Sequence, residues 1–228
     1  MGALLLQNSQ LRIQDSERGV YHLGEMSERP EYLEPYERAA RQHGAGFGAL
    51  LWASPQTQGL RFEAMRRLID FHGKRVLDVG CGRADLLDYL IAKEVRVASY
   101  TGIEGVATLA EAGRAKGHAG CEIVTADFLA QPERMATGAQ IVLISGSLNT
   151  MNADGFYATL RRAYEAAGET LVFNFLCSSR LAGADYLVWH PTDEVMGFAR
   201  TLSDRVRKLE DYLPGDCTVA MRKMGNDE

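Results

Sequence analysis

The stretch Arg75-Val76-Leu77-Asp78-Val79-Gly80-Cys81-Gly82-Arg83-Ala84-Asp85-Leu86-Leu87 constrains the fold of this chain more than any other. Val76, Leu77 and Val79 form an apolar run of the kind buried in a parallel sheet. Gly80 and Gly82 follow with a backbone freedom that side chains would deny, and they let a ligand come close to the main chain. Leu86, Leu87 and Leu90 then recur at helical spacing. A strand, a glycine turn and a helix in that order expose unpaired backbone N–H groups at the helix N-terminus, where nucleotide-like ligands dock.

The same alternation continues downstream. Strand-like runs at Val76–Val79, Tyr100–Glu104, Glu122–Ala126, Ile141–Ser145 and Thr170–Leu176 alternate with helical patterns over Ala84–Lys93, Ala107–Lys116, Ala153–Ala167 and Thr192–Ser203. Such a series implies an α/β fold with a doubly wound, mostly parallel sheet covered on both faces. Val206–Tyr212 and Thr218–Arg222 flank the turn sequence Leu213-Pro214-Gly215-Asp216, so a C-terminal antiparallel hairpin completes seven strands.

The first 55 residues differ. They lack strong β runs and are broken by Arg29-Pro30, Glu34-Pro35 and a glycine-rich stretch from His43 to Gly48, with a short helix expected over Glu31 to Gln42. A longer helix is expected from Gln56 to Phe71, with Leu60, Ala64, Met65, Leu68 and Ile69 at helical spacing and Gly73 ending it. The chain thus divides into a helical extension over 1–55, a possible lid, and an α/β domain over 56–228.

Charge and cysteine usage narrow the class. Lys and Arg total 25 against 30 Asp and Glu, a net −5 that argues against nucleic acid as partner. Arg66, Arg67, Lys74 and Arg75 form the nearest approach to a basic patch and are expected to solvate one helix end. Cys81, Cys121, Cys177 and Cys217 are widely spaced, which argues against a zinc site or disulfide framework and fits a reducing cytoplasm. The opening Met-Gly-Ala-Leu-Leu-Leu is too short an apolar run for a signal peptide, and no run of about 18 apolar residues suggests a membrane span.

The chain from about 56 to 223 resembles the class I, seven-stranded Rossmann-like S-adenosylmethionine-dependent methyltransferases. Val76-Leu77-Asp78-Val79-Gly80-Cys81-Gly82 carries the resemblance most specifically. The dinucleotide-binding fingerprint G-x-G-x-x-G fails, because Asp85 stands at its third glycine. One departure from the methyltransferase pattern is Ala84, where the family commonly has a third glycine; a slightly adjusted turn is expected there, not a lost site.

What the resemblance implies for individual residues follows the strand ends. Asp78, Gly80, Cys81 and Gly82 would cradle the cofactor. Glu104, ending the second strand beside Gly105, would accept from both ribose hydroxyls, a bidentate task suited to a carboxylate; the alternative is a cap on the following helix. Asp127 would accept from the adenine amino group while the Phe128 backbone N–H serves a ring nitrogen, the alternative for Asp127 being a turn former. Ser145 and Gly146 would line the methionine moiety. Asn149 would either orient a substrate or cap a helix that Asn152 or Asp154 also suits. Upstream, Trp52, Gln58, Arg61 and Phe62 look like a pattern of some small-molecule members, and Arg61 would pair with the methionine carboxylate or else sit on the surface of an amphipathic helix.

The expected reaction is methyl transfer from S-adenosylmethionine, leaving S-adenosylhomocysteine, to an oxygen or nitrogen of a small molecule. A general base is needed only where the acceptor must lose a proton. His190 and His43 are the first candidates, ahead of His22, His72 and His118. Tyr21, Tyr32, Tyr36, Phe47, Tyr186 and Trp189 either wall an acceptor pocket or pack the extension against the sheet. No Asn/Asp-Pro-Pro-Tyr/Phe tetrapeptide follows the fourth strand, where Ser145-Gly146-Ser147-Leu148 stands instead, which again points away from nucleic acid. No Asp and Asn cluster matches a magnesium site, so a metal-independent reaction is expected. A non-catalytic S-adenosylmethionine-binding regulator or scaffold, and a protein methyltransferase, are the alternatives.

Overall fold

In a computed structural model the chain is described over residues 31–224. Tyr21, His22 and the apolar opening run lie outside the described residues. Seven strands form one sheet: β1 Arg75–Val79, β2 Ser99–Glu104, β3 Cys121–Thr125, β4 Ile141–Ile144, β5 Thr170–Leu176, β6 Arg205–Leu209 and β7 Asp216–Arg222. Their order is β3-β2-β1-β4-β5-β7-β6, with β7 antiparallel to both its neighbours and the pairings among β1 to β5 parallel.

The apolar runs bury both of their faces. Leu77 and Val79 of β1 and Val142 and Ile144 of β4 face one layer, together with Phe156 and Leu160 of α5 (Ala153–Ala166) and Val195 of α6 (Thr192–Leu202). Val76, Ile141, Leu143 and Val172 face the other, against Phe62 and Met65 of α2 (Pro55–Leu68) and Leu86, Leu87 and Leu90 of α3 (Asp85–Ala92). The period-2 alternation of the strands therefore splits one hydrophobic sequence between two cores. Helix α4 (Ala107–Ala115) joins β2 to β3.

The N-terminal part that is described makes a short 3-10 turn at Glu31–Leu33, helix α1 (Glu34–His43), and a second 3-10 turn at Phe47–Leu50. Ala40, Ala49 and Leu50 pack with Val106 and Leu109 of the α4 region, flanked by Tyr36, Phe47 and Trp52. Ser54 then starts α2 with a capping box: its Oγ accepts from the Thr57 N–H at 3.1 Å, and Thr57 Oγ1 accepts from the Ser54 N–H at 3.2 Å.

Helix α2 departs from expectation in two ways. It ends at Leu68, not Phe71, because Ile69 turns extended and Ile69 and Phe71 insert separately into the core. Gly73, with φ +69°, lies in the connection beyond. The buried stripe runs through Gln58, Arg61, Phe62, Met65 and Leu68, and Leu60 faces solvent.

Candidate functional site

The strand order reverses at β1, whose two neighbours are β2 and β4. In open α/β sheets such a switch point leaves a crevice beyond the strands' carboxyl ends. Here it holds a narrow hollow with a cavity volume of about 50 Å³, walled by Asp78, the Gly80–Asp85 turn, Glu104, Gly105, Phe128 and Ser145 to Ser147. Tyr32, Leu33, Tyr36, Leu50 and Trp52 of the N-terminal segment line the same space.

The glycine turn is shaped by what touches it. Gly80 has φ +76°, and a Cβ there would lie 2.5 Å from Ser147 Oγ, the hydroxyl that donates to the Val79 carbonyl. Ala84 takes the left-handed conformation itself, φ 56° and ψ 38°, at the N-cap of α3. The turn thus keeps a glycine-like path with an alanine, at a conformational cost of about 1–2 kcal/mol.

The N–H groups of Arg83, Asp85 and Leu86, which lead into α3, meet no acceptor among the described residues, whereas those of the glycines are taken up. Gly80 and Cys81 both donate to the Ile103 carbonyl, at 2.7 and 3.1 Å, Gly82 donates to Glu104 Oε2 at 2.7 Å, and Ala84 donates to the Cys81 carbonyl at 2.8 Å. The carboxyl end of β2 collects the donors of Gly80, Cys81 and Gly82, and the amides that open α3 are left free.

Glu104 lies between the backbone it holds and the hollow. Its Oε1 accepts from the Val106 N–H at 2.8 Å just before α4, without capping that helix, while the carboxylate lines the hollow. Burial pushes its pKa up, against the pull of the backbone hydrogen bonds. Asp127 is likewise a turn former: its Oδ1 accepts from Leu129 N–H at 2.9 Å and Ala130 N–H at 3.3 Å, and also from the Tyr32 hydroxyl at 2.6 Å. Among the described residues its Oδ2 has no donor. Phe128 is buried, 5.4 Å from the Tyr32 ring.

Asp78 carries the sharpest signal. It is 3 % exposed, and its Oδ2 accepts from the Tyr100 hydroxyl, but its Oδ1 is buried with no partner among the described residues. Burial raises its pKa to about 7, with the Tyr100 hydrogen bond opposing and Glu104 adding to the rise. An orphaned carboxylate oxygen is costly unless a donor arrives. Asp85, by contrast, is neutralised: burial acts to raise its pKa, but hydrogen bonds from Arg83 and Lys116, each at 2.8 Å, outweigh that and hold it low. Asp78 and Glu104 thus give the hollow two buried carboxyls that burial draws toward their neutral forms.

Four further candidates sit elsewhere than expected. Arg61 is neither exposed nor on the hollow's wall: its Nε meets Asp216 Oδ2 at 2.6 Å and its guanidinium lies 4.6 Å from the Trp52 ring centre. Asn149 neither caps a helix nor faces the hollow; its Oδ1 accepts from Leu176 N–H at 3.1 Å at the end of β5, and Asn152 caps α5. His190 stacks on Phe156 at 3.9 Å with Nε2 buried and unpartnered among the described residues, and burial lowers its pKa. His43 is exposed in the last turn of α1. No histidine among the described residues lines the hollow. Ser145 and Gly146 do line it, tied down by Asn174, whose Nδ2 donates to Ser145 Oγ at 3.2 Å and whose Oδ1 accepts from Gly146 N–H at 3.1 Å.

Sequence reasoning missed Asn174, Tyr32's bond to Asp127, and the Arg61–Asp216 pair. The apolar run around Asn174 was the one available signal, since a polar side chain inside a fully buried strand needs partners.

The seven-stranded sheet with its β5-β7-β6 antiparallel end, and a glycine turn after β1, define the Rossmann-like fold of the class I methyltransferases. No protein-family model matches the sequence, and no curated protein matches it. Solved structures do. DhpI in complex with S-adenosylhomocysteine is similar at TM-score 0.64 and 16 % identity, over 86 % of this chain and 96 % of that one. Magnesium protoporphyrin IX methyltransferase from Synechocystis, also with S-adenosylhomocysteine bound, is similar at TM-score 0.59 and 15 % identity, over 83 % and 94 %. An O-methyltransferase family protein from Burkholderia thailandensis gives TM-score 0.60 and 16 % identity, over 78 % and 58 %.

Proposed function

We propose that this chain binds S-adenosylmethionine in the hollow and transfers its methyl group to an oxygen or nitrogen of a small-molecule acceptor, without a metal ion. The unpartnered, buried Asp78 Oδ1 on the wall of the hollow carries the reading, because it calls for a donor, which the cofactor's ammonium group would supply. When bound, S-adenosylmethionine supplies a methyl group on a positively charged sulfur, an electrophile that needs alignment with its acceptor more than side-chain chemistry.

The chain's own residues bind and orient. Asp78 accepts from the ammonium group. Glu104 keeps lone pairs beyond those given to Gly82 and Val106, and these accept from ribose hydroxyls. Asp127 turns Oδ2 to an adenine amino group, with Phe128 and Tyr32 flanking the base. Gly80, Gly82, Gly105, Ser145 and Gly146 leave the room, and Cys81, whose thiol burial pushes well above its ordinary range, stays neutral. The described part of the extension, proposed as 1–55, lines the hollow through Tyr32, Leu33, Tyr36, Leu50 and Trp52.

No histidine among the described residues lines the hollow, which supports acceptors that are nucleophilic without losing a proton to an imidazole. Among the described residues no three His, Cys, Asp or Glu side chains gather as a metal site requires. The net −5 and the carboxylates of the hollow support a partner other than nucleic acid. No helix among the described residues is long and apolar enough to cross a membrane, and a cytoplasmic setting fits the four free cysteines.

The test is incubation of the full chain with methyl-labelled S-adenosylmethionine and fractionated metabolites. Label in a small-molecule fraction is the expected result. Label in protein would establish a protein methyltransferase instead, and tight S-adenosylhomocysteine binding without transfer to any fraction would establish a non-catalytic binder.

A further inference from the structure

A buried chain of side chains ends on the ceiling of the hollow. Asp216, the first residue of β7, is fully buried and accepts from Arg61 Nε at 2.6 Å and Nη2 at 2.5 Å, both on Oδ2. Its other oxygen accepts from the Tyr212 hydroxyl, which also meets Thr218 Oγ1 at 2.6 Å. Arg61 is 5 % exposed, and its guanidinium lies over the Trp52 ring, 4.6 Å from the centroid. Trp52 in turn rests on Gly146, where a Cβ would stand 2.7 Å from the ring's Cζ2. Two carboxylate bonds and a stacked indole hold a planar guanidinium in a single place, which a flexible ammonium would not achieve.

We propose that Arg61 is a positioning residue: anchored on Asp216, it holds the Trp52 ring against Gly146 and so forms the ceiling over the reacting end of the hollow. This rests on the proposed cofactor reading, in which Asp127 and Glu104 take the adenosine half and leave Asp78, Gly146 and Trp52 to the methionine half. Arg61 itself touches no ligand. A glycine at 146 is then required not only by φ +87° but by the approach of the indole.

Removing Arg61 alone would strand a buried carboxylate and unfold the chain for reasons unrelated to the ceiling. The double variant Arg61→Met/Asp216→Asn removes both charges and keeps the volume, and Trp52→Ala removes the ceiling itself. The chain has two tryptophans, and Trp189 is 43 % exposed, so a Trp189→Phe background makes emission report on Trp52. Affinities for S-adenosylhomocysteine and for adenosine, which lacks the methionine half, are measured by calorimetry alongside.

The expected result is a loss of at least tenfold for S-adenosylhomocysteine with Trp52→Ala, and of about fivefold with the double variant, while adenosine binding changes less than twofold. Trp52 emission shifts to the red in the double variant at an unchanged melting temperature. An unaltered affinity for S-adenosylhomocysteine in the double variant, or equal losses for both ligands, overturns the inference. Absence of S-adenosylhomocysteine binding by the unaltered chain would overturn the cofactor reading first, and this inference with it.

Discussion

The Tyr32 hydroxyl donates to Asp127 Oδ1 at 2.6 Å, joining the N-terminal segment to the turn after β3 across 95 positions of sequence. Burial and the neighbouring Asp127 carboxylate push the Tyr32 pKa well above its ordinary value, so the phenol remains a donor at any physiological pH. With Oδ1 occupied by Tyr32, Leu129 and Ala130, Oδ2 has no donor among the described residues and is, in the proposed reading, the oxygen that meets the adenine.

Replacement of Asp127 by alanine should therefore weaken adenosine binding about tenfold, or about 1.4 kcal/mol. Tyr32→Phe should weaken it less, about threefold, because the two amides still hold the carboxylate in place. Calorimetric titration of each variant checks both values, and unchanged adenosine affinity in Asp127→Ala would remove the adenine role.

Glu104 gives a second prediction, in which binding and stability move together. Its two oxygens satisfy the Gly82 and Val106 amides, both in buried surroundings. Glu104→Ala should lower S-adenosylhomocysteine affinity at least tenfold and also cost about 1–3 kcal/mol of stability for each amide left without a partner. Glu104→Gln should recover part of the stability, since one carbonyl oxygen remains, but little of the affinity. Urea unfolding with parallel titrations separates the two effects; a Gln variant that binds like the unaltered chain would sink the ribose role.

How far these features were legible depended on whether the signal was local. The β1 strand, the glycine turn and α3 could be read because an apolar run passes directly into a period of 3.6, and the two glycines mark the join. Ala84 was visible as an irregularity, and its left-handed φ of 56° shows why glycine suits that position. Ile69 and Phe71 misled, because apolar residues that continue a helical spacing are buried equally well by a chain that has left the helix. Arg61 and Asp216 are 155 positions apart, and Tyr32 and Asp127 are 95 apart. Neither partner carries a local mark of the other. The same holds for the amides of the glycine turn: the turn itself was plain, but that the end of β2 consumes its donors depends on the parallel register Val79↔Ile103.

Asp78 should make ligand binding sensitive to pH. Its pKa of about 7 stands above its ordinary 3.8, so the folded chain retains a proton that the unfolded chain has lost. Its contribution to stability is then fullest below about pH 4 and declines as pH rises to about 7, beyond which it is constant. A ligand ammonium favours the ionised carboxylate, so S-adenosylhomocysteine affinity should rise between pH 5 and about 7 and binding should release protons. Glu104, also raised by burial, acts in the same direction. Calorimetry at pH 6.5 in two buffers of different ionisation enthalpy measures the released protons. Asp78→Asn should reduce that release, and a release identical to that of the unaltered chain would show that Asp78 does not meet the ammonium.

His190 should contribute the opposite slope and no catalysis. It is 5 % exposed, stacked on Phe156, and burial lowers its pKa below the ordinary 6.5. The unfolded chain therefore takes up a proton that the folded chain refuses, and stability is retained above about pH 6.5 and lost as pH falls below it. His190→Phe removes both the titration and a buried nitrogen without a partner among the described residues, and a ring of similar shape keeps the stack on Phe156. Thermal unfolding between pH 5 and 8 should show a flatter acid side for the variant, with stability at pH 5.5 raised relative to the unaltered chain. Methyl transfer to whichever acceptor is found should remain within about twofold at pH 7.5. A variant that folds, binds S-adenosylhomocysteine normally and yet loses a hundredfold in turnover would return His190 to the role of general base, and would require the loop that carries it to move toward the hollow during catalysis.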